Sequence, residues 1–313
     1  MYDTIIIGGG PAGMTAGIYA VRREMKTLLL TKEMGGQIVW ASEIENYPGF
    51  RKIESFELIE RLHSHAKDLG VEVKSEEVKS VINENDEFIV KTNQGEYRSK
   101  TAILTMGLSP RRLAIPGEEG FTGRGVSYCA TCDGPLFRDK IVAVVGGGNS
   151  ALDAAEILSK IAKQVYLIHR RQEFRGFESL VREVKSKENI ELVLDSQIKE
   201  IQGSDFVESI IVENINNKKE RKIELNGVFV EVGRIAHTDL VSELTDRDKK
   251  NQIIINEKGA TKTPGLFAAG DVTPVPFKQI TIANGQATIA ALAAYEYLQQ
   301  KEGKESINIF DRS

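Results

Sequence analysis

Cysteine is scarce in this sequence: Cys129 and Cys132 are the only two among 313 residues. Two thiols exclude a disulfide scaffold and a four-thiolate zinc site. Long hydrophobic runs are also missing. Stretches such as Ile5 to Ile7 and Leu28 to Leu30 fall far short of the ~18–20 residues that a membrane-spanning helix needs. There is no basic excess either. Lys+Arg is 41 against 45 Asp+Glu, a net charge of −4, which argues against a non-specific nucleic-acid binder. The sequence opens on a strand-like Tyr2 to Ile7 with no basic n-region and no apolar h-region. A cytoplasmic protein with no nucleic-acid and no membrane partner is the expectation. In a reducing compartment, a lone Cys129-Ala130-Thr131-Cys132 reads as a redox dithiol.

What is present is globular. Apolar residues make up 41% and charged residues 27%, which speaks against disorder, collagen and coiled coil. The length corresponds to about two domains. Strand-like and helix-like segments alternate, so the class is α/β. Strands are predicted at 5–7, 27–30, 102–104, 140–145, 165–168 and 265–269, and a strand–turn–strand at 72–90. Helices are predicted at 12–23, 54–69, 150–163 and 279–298. Antiparallel strands are expected over about 191–232.

Two glycine-rich turns follow strands and open helices. The first, Gly8-Gly9-Gly10-Pro11-Ala12-Gly13, is a G-x-G-x-x-G. Its first glycine makes the tight turn, its second admits a pyrophosphate against the backbone, and its third lets helix pack on strand. The helix N-terminus then offers unpaired N–H groups and a positive dipole end to phosphate. The usual ribose-binding acid at the end of the next strand is replaced by Thr31, with Glu33 two residues on as a weak candidate. The second turn, Gly146-Gly147-Gly148-Asn149-Ser150-Ala151, is a G-x-G-x-x-A. About 20 residues later an NAD site would place an acid. Here stand His169-Arg170-Arg171 and Phe174-Arg175, whose guanidinium groups suit a 2′-phosphate. Two dinucleotide sites, one selective for NADPH, sit beside a dithiol. A flavin at the first site would relay two electrons between them.

These motifs, together with Gly35-Gly36-Gln37, Glu45-Asn46-Tyr47-Pro48-Gly49, Cys129-Ala130-Thr131-Cys132-Asp133 and Gly270-Asp271, resemble the low-molecular-weight thioredoxin reductases from Tyr2 to Leu298. The resemblance implies two Rossmann-like dinucleotide-binding domains, an FAD domain (1–112 and 235–313) interrupted by an NADPH domain (113–234) that carries the dithiol. It implies a homodimer. It places Gly8, Gly10, Pro11, Ala12, Gly13, Gly35, Gly36, Gln37, Asn46, Gly107, Gly270, Asp271, Lys278, Gln279 and Ile280 at FAD. Asp271 would meet the ribityl–phosphate region, and Gln279 and Ile280 the flavin ring. It places Gly146, Gly148, Asn149, Ser150, Ala151, His169, Arg170, Arg171 and Arg175 at NADPH. Departures from the pattern are Thr105-Met106-Gly107 for Ala-Thr-Gly, Lys278 for Arg, and Ala236-His237-Thr238 for Pro-Asn-Thr. The stretch Pro274 to Gln279 resembles the flavoprotein component of alkyl hydroperoxide reductase.

The activity so implied is NADPH-dependent reduction of a thioredoxin-like protein's disulfide through FAD and Cys129–Cys132. Asp133 would deliver protons, and the inserted domain would swing about its two crossings. Which cysteine attacks the partner stays open. The alternatives are a reductase of a glutaredoxin-like or peroxiredoxin-system partner, a C-x-x-C flavin-dependent dithiol oxidase, and a redox sensor. The oxidase needs no Arg170, Arg171 or Arg175, and the sensor no dinucleotide fingerprints. His63, His65 and His237 read as surface or loop histidines, and Trp40 as packing.

Overall fold

A computed structural model describes residues 1–40, 43–44 and 46–304, without the side chains of Trp40, Glu43 and Cys132. Glu45, part of one motif above, lies outside the described residues. The chain divides into two compact units, Met1–Val39 with Glu43–Ser109 and Ile235–Ser313, and Pro110–Arg234 with Trp40–Ser42. Among the described residues the α-helices are α1 (Pro11–Val21), α2 (Ser55–Asp68), α3 (Ala130–Asp133), α4 (Asn149–Ser159), α5 (Glu178–Ser186) and α6 (Ile280–Lys301).

The first unit is built on a seven-stranded sheet. Strand Tyr2–Gly9 lies between Thr27–Met34 and Glu96–Leu104, all parallel, with Glu72–Ser75 beyond Thr27–Met34. The other edge of Glu96–Leu104 is shared. Glu87–Thr92 pairs antiparallel with its first half, and Leu266–Ala268 pairs parallel with residues 102–104. Ile6 sits in register with Leu29 and Ile103. These three are fully buried on the face covered by α1 and α6. Ile5, Leu28, Leu30 and Leu104 are equally buried on the opposite face, against Val241 and Ile253. A sheet covered on both faces needs apolar side chains at consecutive positions, which is why these strands read as continuous runs. Each such side chain contributes about 1.5–3 kcal/mol. α1 meets α6 through alanines, Ala12, Ala16 and Ala20 on one and Ala283, Ala287, Ala290 and Ala294 on the other.

The second unit holds a five-stranded sheet in the order Val126–Ser127, Gly227–Val230, Ile141–Val145, Gln164–Ile168, Ile190–Val193. Every pairing in it is parallel. α4 and α5 cover one face, over Val142, Val144, Leu167 and Phe229. A three-stranded antiparallel sheet, Ser196–Gly203, Val207–Asn214 and Glu220–Glu224, covers the other through Ile198, Ile210 and Val212.

Three expectations are corrected. Only the middle of 191–232 is antiparallel, because Ile190–Val193 and Gly227–Val230 join the parallel sheet. Residues 72–90 are not one hairpin: Glu72–Ser75 pairs with Thr27–Met34 at the opposite edge from Val78–Glu84 and Glu87–Thr92. The sequence reading also omitted α5. In both units the strand leading into the glycine turn has neighbours reached by opposite crossovers. Ligands bind at such a switch point, outside the carboxyl ends of the strands.

Candidate active site

The first glycine turn follows Tyr2–Gly9. Gly8 has φ +120°, and a Cβ there would overlap the Thr105 carbonyl; a Cβ on Gly13 would overlap the Gly8 carbonyl. The first and third glycines are thus required by the chain's own packing. Gly10 answers to something else. It stands as N-cap of α1 without a side-chain cap, followed by Pro11. A Cβ added to Gly36 (φ +57°) would come within 3.1 Å of the Gly10 Cα. Two bare backbones therefore lie against one another at the helix N-terminus, and a side chain on Gly36 has no room. With no Cβ at Gly10 to cover them, the open N–H groups of the first turn fit a pyrophosphate. The position of the usual acid is occupied otherwise: Thr31 Oγ1 accepts from Gly9 N–H at 3.0 Å and donates to the Glu33 carbonyl at 2.6 Å. The Glu33 side chain is exposed.

Loops from elsewhere in this unit converge beside the turn. Gln37 Nε2 donates to Asp271 Oδ2 at 2.7 Å. A Cβ on Gly107 (φ +64°) would lie 3.7 Å from that Gln37 nitrogen. Gly270 packs on Ala12 and Ala283. Lys278 Nζ donates to the carbonyls of Asp271 and Thr273 at 3.1 and 2.7 Å, and burial pushes its amine below the usual value. It pins the Asp271 turn. Gln279 is the N-cap of α6, Ile280 its first residue, and Asn46 Nδ2 donates to Gln279 Oε1 at 3.1 Å. Sequence reasoning missed Asn284. Its amide, oriented to satisfy its surroundings, donates to Pro11 O and Thr15 Oγ1, both at 3.2 Å, and accepts from the Tyr47 hydroxyl. It ties the starts of α1 and α6 together, and nothing local in the sequence signals it.

The second turn repeats the plan with different stitching. Gly146 (φ +151°) lies against the Glu231 carbonyl, Gly147 against the His169 ring, and a Cβ on Gly148 would meet open space. Ala151 is buried and Ser150 exposed at the start of α4. Arg175 N–H donates to the Gly147 carbonyl at 2.7 Å, and Phe177 N–H donates to Asn149 Oδ1 at 2.8 Å. These bonds hold the arginine loop against the glycine turn, with Arg170, Arg171 and Arg175 all exposed. His169 and Asn149 play a different part from the arginines. His169 is 7% exposed, stacks on Phe174 with ring centroids 5.3 Å apart, and has Nε2 3.1 Å from the Glu173 carbonyl. Desolvation, then the nearby arginines, push the imidazole below its ordinary pKa. It is a neutral support for the loop.

The dithiol segment lies in the same unit. Cys129 is the N-cap of α3 and is held in a disulfide. The chain's other cysteine, Cys132, is on α3, and its side chain lies outside the described ones. Asp133 N–H donates to the Cys129 carbonyl at 3.1 Å. The Ser127 hydroxyl donates to Asp133 Oδ2 at 2.6 Å and accepts from Cys129 N–H at 3.1 Å. Ser127, unmarked in the sequence reading, therefore fixes both the cysteine backbone and the candidate acid. The segment is tied further back by Glu118, 2% exposed, which accepts from Leu113 N–H, Ala114 N–H and the Tyr128 hydroxyl. Among the described residues no cluster of three His, Cys, Asp or Glu is placed to hold a metal ion. Nor is any helix long and apolar enough to cross a membrane.

Two α/β units with glycine turns at their switch points, one of them carrying a disulfide, define a dinucleotide-dependent disulfide oxidoreductase. Residues 2–287 match the pyridine nucleotide-disulphide oxidoreductase family, and the chain belongs to it. It is 37% identical over 95% of its length to a Bacillus subtilis NADH dehydrogenase, of which it spans 58%. It is 35% identical over 95% of its length to the Treponema pallidum thioredoxin reductase, of which it spans 97%. The crystal structure of Lactococcus lactis thioredoxin reductase superposes with a TM-score of 0.79 at 38% identity, covering 96% of this chain and all of that one.

Proposed function

We propose that this chain is an NADPH-dependent thioredoxin reductase. The observation that carries the reading is the pairing of two glycine turns with a disulfide in one chain, together with the near-complete coverage of thioredoxin reductases. The first unit takes FAD, between the Gly8–Gly13 turn and Gly35, Gly36, Gln37, Asn46, Gly107, Gly270, Asp271, Gln279 and Ile280, with Lys278 bracing the Asp271 turn. The second takes NADPH, at Gly146, Gly148, Ser150 and Ala151, with Arg170, Arg171 and Arg175 toward the 2′-phosphate and His169 and Asn149 holding the loop. When bound, the nicotinamide supplies a hydride and the flavin relays its two electrons to a disulfide.

The chain's own residues do the rest. Backbone N–H groups at the starts of α1 and α4 meet phosphate charge. Exposed guanidinium groups distinguish a 2′-phosphate from a hydroxyl by paired charge-assisted bonds. Asp133, aimed by Ser127, holds and moves the proton that a thiolate needs on becoming a leaving thiol. The reduced pair passes its electrons on by thiol–disulfide exchange with a thioredoxin-like protein. The working form is a cytoplasmic homodimer.

The test is anaerobic titration of the purified yellow protein with NADPH, followed by addition of an oxidised thioredoxin. Full bleaching by about two equivalents, one for the flavin and one for the Cys129–Cys132 disulfide, and recovery of colour on adding the thioredoxin are expected. A colourless protein, or one that bleaches but transfers nothing to any thioredoxin-like disulfide, overturns the reading.

A further inference from the structure

Besides Asp133 and Glu118, one more carboxyl reaches the redox segment. Glu231 follows the strand Gly227–Val230, and its N–H donates to the Val145 carbonyl at 2.8 Å, beside the second glycine turn. Val126–Ser127, which leads into Cys129, pairs in parallel with Gly227–Val230, Ser127 standing opposite Phe229, so Glu231 emerges alongside the start of the dithiol segment, its half-buried side chain toward the Ala130 N–H. The charged groups that face it are the Arg234 guanidinium and the Asp153 carboxyl on α4. The protein thus places an acid with one basic neighbour against the first turn of the helix that bears the dithiol.

We propose that Glu231 is a positioning residue of the Cys129–Cys132 pair: its carboxyl takes up a proton when the disulfide opens and so links reduction of the pair to pH. The inference rests on reading that pair as the redox couple. Opening the disulfide breaks one S–S bond and takes up two electrons and two protons: one proton ends on sulfur as a thiol, and the other on Glu231 beside the remaining thiolate. A hydride source brings the two electrons with one proton, so one further proton enters from the protein or solvent. A thiolate on α3 puts negative charge near Glu231, and like charges favour neutralising one of them. Binding is reciprocal, so a proton on Glu231 favours the reduced pair and an ionised Glu231 favours the disulfide. Burial acting first, only partly offset by Arg234 and the Ala130 N–H, lifts this carboxyl to about 7, where such a proton is exchangeable at neutral pH.

The experiment equilibrates the whole protein with mixtures of reduced and oxidised dithiothreitol at about pH 5.5 and about pH 8.5. Free thiols are then trapped with an alkylating agent and counted by mass spectrometry. Glu231→Gln keeps the side-chain shape and removes the titration. It should match wild type at the lower pH and be about five- to tenfold easier to reduce at the higher one. The same ratio of variant to wild type at both pH values overturns the proposal. A wild-type pair that dithiothreitol never opens removes the redox reading itself and this inference with it, a result distinct from an opening pair without pH linkage. Should the variant not fold, infrared difference spectra of wild type near pH 7 decide. A protonated-carboxyl band that grows on reduction supports the assignment, and its absence overturns it.

Discussion

Ser127 donates its hydroxyl proton to Asp133 across 2.6 Å while the Cys129 amide donates to the same hydroxyl oxygen at 3.1 Å. One side chain therefore sets both the backbone of a redox cysteine and the direction of the candidate acid. Ser127→Ala removes a hydrogen bond to a charged group, about 1.5–3 kcal/mol. Turnover with a thioredoxin-like substrate should fall about tenfold or more. Stopped-flow reduction of the flavin by NADPH should keep its wild-type rate, since that step does not use Asp133. Unchanged turnover would relegate Ser127 to a turn residue.

The coenzyme preference is expected to reside in the exposed arginines. Replacing Arg170 and Arg171 by neutral residues should raise KM for NADPH by about 10–150-fold, with little change for NADH. Steady-state kinetics with both coenzymes measure this directly. Equal use of the two by the unmodified protein would leave the arginines as surface charge.

Cys129→Ser with Cys132→Ser separates the two halves of the reaction. The variant should still bleach with NADPH and should lose thioredoxin reduction. The chain has no third cysteine to carry the electrons onward. Partner turnover that survives in the double variant would show that electrons leave by a route other than the dithiol.

Gly36→Ala tests the first glycine turn. Its Cβ would stand 3.1 Å from the Gly10 Cα, on a residue with φ +57°. A left-handed alanine costs roughly 1–2 kcal/mol. The larger effect should be on the ligand, because the added carbon presses on Gly10 and displaces the turn proposed to meet phosphate. The variant is expected to purify with less FAD and to bind it more weakly by fluorescence titration, with circular dichroism unchanged. Full occupancy would put the pyrophosphate elsewhere.

The buried imidazole gives a pH signature. Desolvation, helped by Arg170 and Arg175 and only partly offset by the hydrogen bond to the Glu173 carbonyl, holds His169 below the ordinary 6.5 in the folded chain. In the unfolded chain it titrates normally, so between the two values the unfolded state binds more protons. Stability from this group is complete above about 6.5 and is lost as the pH falls below it. Thermal melts of wild type and His169→Gln should therefore converge on acidification. Parallel melting curves at all pH values would rule this contribution out.

Both glycine turns were legible because the spacing of their glycines is contiguous in the sequence, even though the carbonyls that demand Gly8 and Gly146, those of Thr105 and Glu231, lie far along the chain. The same holds for Ile5 to Ile7 and Leu28 to Leu30, whose burial on two faces leaves no polar position to confuse the reading. What escaped depends on partners far along the chain. Whether Ile190–Val193 is parallel is decided by Gln164–Ile168, and whether Glu72–Ser75 is an edge is decided by Thr27–Met34. Single side chains escaped for the same reason. Nothing near Ser127 announces that it will face Asp133, and nothing near Glu231 announces Ala130, about a hundred positions earlier.

The shared edge of Glu96–Leu104 has a consequence for synthesis on the ribosome. Its upper half, residues 102–104, stays without its outer neighbour until Leu266–Ala268 emerges. α6, which closes the face over Ile6 and Ile103, comes later still. Pro110–Arg234, by contrast, is complete well before either, and its core draws mainly on that stretch. The inserted unit should therefore become protease-resistant while the surrounding one still has an open strand edge, the kind of surface that recruits other chains. Stalled nascent chains ending between Arg234 and Gly265 would hold the protein in that half-built condition.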